Sequence, residues 1–90
     1  MNITEFTFNS LVSEINSKRK VSLGPIQKNM VKSMIENKST KLSDFSTSRN
    51  AKMYKQSWDN VKSDLRKSGI DFYETKEING NKYDEIIVLK

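Results

Sequence analysis

The chain has 90 residues, 34% of them hydrophobic and 30% charged, with a formal net charge of +5 and neither cysteine nor histidine. That is one domain's worth of chain with a modest core. The composition excludes disulfides, thiolate or imidazole metal sites and the commonest general base. No apolar run reaches the ~18 residues that a membrane span needs, and no basic segment followed by an apolar stretch marks a secretory leader. The expectation is a cytoplasmic protein with no membrane partner.

The charge is unevenly placed. Residues 18–67 carry 13 Lys/Arg against 4 Asp/Glu, whereas residues 71–90 carry 3 Lys against 5 Asp/Glu. A basic middle attracts polyanions through counterion release.

In chain order, Asn2 and Glu5 form a candidate reciprocal cap for a first helix over 3–17. Phe8, Leu11, Val12 and Ile15 make its apolar stripe, and Phe6, on another face, is free to join a partner surface. Lys18, Arg19 and Lys20 follow near its end, where cations suit the helix dipole. Val21-Ser22-Leu23 is a short extended candidate. Gly24-Pro25 breaks the chain, and Pro25 suits the first position of a second helix over 25–37. Ile26, Met30, Val31, Met34 and Ile35 give that helix a broad apolar face.

Residues 37–41 read as a polar connection, and 41–46 as a short helix that buries Leu42 and Phe45. Ser46, Thr47 and Ser48 offer caps for a long helix over 48–68. In it Ala51, Tyr54, Trp58, Val61 and Leu65 recur at spacings of 3, 4, 3 and 4. This single core stripe makes burial, and not base stacking, the expected role of Trp58. Gly69 suits the left-handed position after the helix.

The period then changes to two, and residues 70–90 read as a β-hairpin. Ile70, Phe72, Ile87 and Leu89 share its core face. Asn79-Gly80 is a strong turn signal. A turn there pairs Glu77 with Lys82 but sets Glu74 against Glu85. A turn at Gly80-Asn81 pairs Ile78 with Tyr83 and Lys76 with Glu85. Both registers stay open on sequence grounds. Tyr73, Ile86 and Val88, on the other face, could pack on the first helix or on a second protomer.

The expected fold class is therefore mostly α with a C-terminal β-hairpin, an α+β domain spanning 1–90. From Pro25 the order is helix, short helix, long helix, hairpin, and Leu65, Gly69 and Ile70 close the long helix and open the first strand. This resembles the winged helix-turn-helix fold of many DNA-binding regulators and phage proteins, over roughly residues 25–90, preceded here by an extra N-terminal helix. The stretch between Phe45 and Trp58 is longer than that family's usual turn.

The resemblance implies that the long helix is a recognition helix and the hairpin a wing. An α-helix fits the major groove if one face holds the core and the other shows polar groups. Opposite the stripe lie Arg49, Lys52, Met53, Gln56, Asn60, Ser63 and Lys67. Gln and Asn can pair with adenine edges, and Arg and Lys with guanine or phosphate. Lys41, Lys55, Lys62 and Arg66 border that face and suit phosphates. At the wing tip, Lys76, Asn79, Asn81 and Lys82 could reach a phosphate or the minor groove, while the acidic body of the wing repels DNA.

The inventory holds no glycine-rich phosphate loop, no nucleophile with an evident base and no metal cluster, so no enzyme chemistry and no cofactor are expected. The expected function is a double-stranded DNA-binding transcription regulator or accessory factor of phage or low-GC bacterial type, with homodimerisation through the first helix a further expectation. The alternative is a small protein-interaction module, such as an inhibitor docking on a host nucleic-acid enzyme. RNA binding ranks third, for want of a base-stacking sheet motif.

Overall fold

Thr7 caps the first described helix. Its side chain accepts from the Ser10 backbone N–H at 3.1 Å, and the Ser10 hydroxyl oxygen accepts from the Thr7 backbone N–H at 2.8 Å. Helix α1 accordingly runs Phe8–Ser17. The computed structural model describes residues 5–46, 49–80 and 82–89, with backbone alone at 79, 82 and 83. The Asn2 cap and the first residues of the expected 3–17 helix lie outside the described residues.

Helix α2, Pro25–Asn37, has the expected bounds, with Pro25 at its start. It ends at Lys38, a non-glycine residue at φ 59°. An L-residue in that region costs about 1–2 kcal/mol. Two hydrogen bonds hold it there: its N–H donates to the Met34 carbonyl, and its own carbonyl accepts from the Leu89 N–H. The chain thus reverses straight into a strand, β1 (Ser39–Lys41), where the sequence leads one to expect a loop. One 3-10 turn, Leu42–Asp44, follows in place of the expected 41–46 helix.

Helix α3 runs Ala51–Lys67 and not 48–68. Arg49 and Asn50 lie in the turn before it, and Thr47 and Ser48 lie outside the described residues. Gly69 leaves the helix at φ 71°, the left-handed geometry expected of it. Strands β2 (Phe72–Asn79) and β3 (Lys82–Leu89) form the hairpin.

The sheet is three-stranded and antiparallel, in the order β1-β3-β2. Asn79 pairs with Lys82, which is the second of the two registers and excludes the one set by an Asn79-Gly80 turn. Lys76 faces Glu85 and Ile78 faces Tyr83. This register removes the Glu74–Glu85 opposition and turns both carboxylates toward α3, where cations receive them. The architecture is thus mixed α+β, with three α-helices and a three-stranded sheet among the described residues. No helix among the described residues is long and apolar enough to cross a membrane.

The core joins all of these elements. Leu11 and Ile15 of α1, Met30, Val31 and Met34 of α2, Trp58, Val61 and Leu65 of α3, and Ile70, Ile87 and Leu89 are buried together. Three sequence expectations change. Ala51 is exposed, because it sits at the first turn of α3, ahead of the surface that α2 and the sheet cover. Phe6 is packed against the core instead of free. Val21-Ser22-Leu23 is not a strand: Leu23 is buried, its N–H donating to Asn16 Oδ1, while Val21 is 72% exposed.

Candidate nucleic-acid interface on α3

Helix α3 has four sides, and its neighbours determine what each can do. The core stripe faces α2 and the sheet, and Trp58 there is fully buried, as its spacing implied. One flank meets the hairpin, and the other meets the connection between α1 and α2. The fourth side is open.

The hairpin flank is a continuous ion-pair network. Lys62, only 13% exposed, reaches Glu74 at 2.7 Å and Asp59 at 3.3 Å, with Glu85 at 3.7 Å. Lys55 bonds Asp59 at 3.1 Å and also Glu85. Arg66 pairs with Glu74 at 3.2 Å and lies over the Phe72 ring, 5.2 Å from its centre. Across the outer face of the sheet, Lys41 pairs with Glu77 at 2.9 Å. Asp84 accepts hydrogen bonds from the Ser43 backbone and hydroxyl, which ties the 3-10 turn to β3. All four cations expected to border the face and meet phosphates are thus committed to carboxylates. Glu74, Glu77 and Glu85 of the hairpin are in turn committed to the protein's own lysines and arginine.

This network has a pH signature. The Lys62 hydrogen bond is the main reason Glu74 is held below its ordinary value of 4.5, against some opposition from burial. At Asp59 burial opposes the charge, but hydrogen bonds from Lys55 and Lys62 outweigh it, and the carboxyl lies below 3.8. Burial likewise works against the charge of Lys62, yet its hydrogen bonds to Glu74 and Asp59 prevail and hold it above 10.5. The carboxylates' contribution is complete above pH 4.5 and is lost as pH falls through their depressed values. That of Lys62 is complete below pH 10.5 and is lost as pH rises beyond it. Urea midpoints across pH should therefore fall at both extremes, and Glu74→Gln should flatten the acid limb. An acid limb unchanged in that variant would mean that the pair carries no stability.

The open side carries Arg49 in the preceding turn and then Lys52, Met53, Gln56 and Asn60, all exposed. Arg49 and Lys52 have no ion pair among the described residues. Ser63 is half-buried, and it and Lys67 lie further along, where the α1–α2 connection rises beside α3. The predicted face is therefore divided: its N-terminal half projects freely, and its C-terminal half forms one wall of a groove. Of the wing-tip set, Lys76 is exposed on β2 opposite Glu85. Asn81, and the side chains of Asn79 and Lys82, lie outside the described residues.

No family model, curated protein or solved structure matches this chain. The interface rests on its own geometry.

The residue that sequence reasoning misses is Asp64. Helical spacing puts it on the flank of the open face, but it is 6% exposed and bonds the Arg19 guanidinium at 2.6 Å. Arg19 also donates from Nε to the Val21 carbonyl. Lys18 reaches the Lys67 carbonyl at 3.2 Å and Glu14 at 2.8 Å. The basic triplet, expected to offset the helix dipole, lies beyond α1, and two of its members, Lys18 and Arg19, latch the connection to α3. The available signal is the position of Asp64 immediately before Leu65 and three residues after Val61, at the edge of the core stripe.

Proposed function

We propose that this chain is a nucleic-acid-binding protein, a transcription regulator or accessory factor, that docks on double-stranded DNA through the N-terminal half of α3 in the manner of a winged helix-turn-helix. The observation that carries this reading is the sorting of charge around α3. The hairpin neutralises its own flank, and Arg49, Lys52 and Gln56 are left exposed on the open side. The order of α2, the 3-10 turn, α3 and the hairpin agrees with the resemblance. A helix presenting its N-terminal residues to base edges needs exposed amides and cations there and a rigid support behind. Trp58, Val61 and Leu65 supply the support. The chain needs no cofactor or catalytic group for this role.

Lys52 and Gln56 should behave differently. Lys52→Ala should weaken binding to every duplex alike and reduce the slope of log K against log salt by ~0.9. Gln56→Ala should leave that slope unchanged and cut discrimination between preferred and random duplexes by about 1–3 kcal/mol. Fluorescence anisotropy over a salt series measures both. If neither variant differs from the parent, α3 is not the reading element.

A second reading, a protein-interaction module acting on a nucleic-acid enzyme, draws on the outer side of the hairpin. Tyr73 is 50% exposed there, and on the opposite face Ile78, near the turn, is 80% exposed. An absence of duplex binding by the parent protein at low salt would favour it.

A further inference from the structure

The flank of α3 away from the hairpin is a concave surface of about 480 Å³ lined by four cations and one carboxylate. Lys18, Arg19 and Lys20 come from the α1–α2 connection. Asn60, Ser63 and Lys67 come from the C-terminal half of α3. The carboxylate is Asp64, which is buried and committed to Arg19. Lys18 is balanced by Glu14. Lys20 and Lys67 are exposed and have no ion pair among the described residues. Among the described residues no other acidic side chain lines the groove, in contrast to the hairpin flank, where each of Lys55, Lys62 and Arg66 meets a carboxylate.

The chemistry left over is nearly all donor. Two ammonium groups, an amide and a hydroxyl converge on a groove that two latches hold open, Arg19 to Asp64 and Lys18 to the Lys67 carbonyl. Phosphate oxygens offer acceptors only, with negative charge, and fit such a surface. The groove is continuous with the open side of α3, since Asn60 lines it and stands one helical turn beyond Gln56.

We propose that this groove seats the sugar-phosphate backbone of the duplex whose bases face the N-terminal half of α3. The proposal rests on the DNA reading above and extends it. It assigns Lys20, which sequence alone leaves with the helix dipole, to phosphate contact. It also moves Asn60, Ser63 and Lys67 from reading bases to fixing position.

The test is anisotropy of a labelled random-sequence duplex across a salt series, with the parent, Lys20→Ala/Lys67→Ala and Lys20→Arg/Lys67→Arg. Both side chains are exposed, and far-UV circular dichroism checks that each variant folds. Without these two ammonium groups, the alanine pair should have a salt slope smaller by ~1.8, which corresponds to roughly 60-fold weaker binding at 0.1 M salt relative to an unchanged value extrapolated to 1 M. Its ranking of duplex sequences should match the parent's, and the arginine pair should restore the slope. If the parent binds and the alanine pair keeps its slope and affinity, the groove is not a backbone seat, although α3 remains the reader. If the parent binds no duplex at low salt, both proposals fall together.

Discussion

Replacing Trp58 by alanine should lower the unfolding free energy by about 3–5 kcal/mol, the range for deleting a large aromatic from a packed core. A domain of this length has of the order of 5–13 kcal/mol in all, so the variant is expected to lie near the edge of folding at 37 °C. The reason is its position. The indole is fully buried in the one cluster that joins α1, α2, α3 and the sheet, and Ala51, in the first turn of the same helix, is exposed and cannot compensate. Trp58→Phe separates volume from polarity. The indole Nε1 is buried with no hydrogen-bond partner among the described residues, so phenylalanine gives up packed area but removes a polar group that burial disfavours. Its cost should be well under half that of alanine. Urea denaturation followed by circular dichroism measures both, since Trp58 is the only tryptophan. Equal losses in the two variants would show that ring packing is not what the site contributes.

Asp64→Ala should cost about 2–4 kcal/mol, somewhat below the range for breaking a fully buried pair, because Arg19 keeps a 24% exposed side chain and can rehydrate in part. Arg19→Ala should cost at least as much, since it leaves the more deeply buried Asp64 carboxylate unpaired. A double-mutant cycle measures their coupling directly. Coupling near zero would mean that the connection is held by Lys18 and by the Asn16 bond to Leu23 instead. The same substitution removes the latch of the groove. It should therefore alter duplex binding although Asp64 itself carries the wrong charge to touch phosphate.

The reach of sequence reasoning here follows the length scale of each interaction. Helix α2 is legible to the residue because Pro25 starts it and its apolar positions repeat. The stripe of α3, the exit at Gly69 and the hairpin are legible for the same reason: each depends on a period or on a backbone conformation that few residues accept. The Thr7 cap is not legible in the sequence, because its reciprocal partner is Ser10 and not the Glu or Gln that marks such a box. Strand β1 is hidden. It has three residues, with Thr40 alone buried, and it exists because β3 lies beside it and Leu89 bonds back to Lys38.

The candidate interface divides in the same way. The open face of α3 can be drawn from helical geometry, since residues three and four apart share a side whatever surrounds them. Which of its cations stay available cannot. Lys41, Lys55, Lys62 and Arg66 look like Lys20, Arg49, Lys52 and Lys67 in the sequence, and they differ only in what folds against them. The amino-acid order alone determined the basic middle, the helical stripes and the acidic hairpin. The tertiary structure decided that the hairpin's register turns Glu74 and Glu85 toward one flank of α3, and that Asp64 draws Arg19 to the other. Charge pairing acts over a few ångströms between segments tens of residues apart, and only packing brings such segments together.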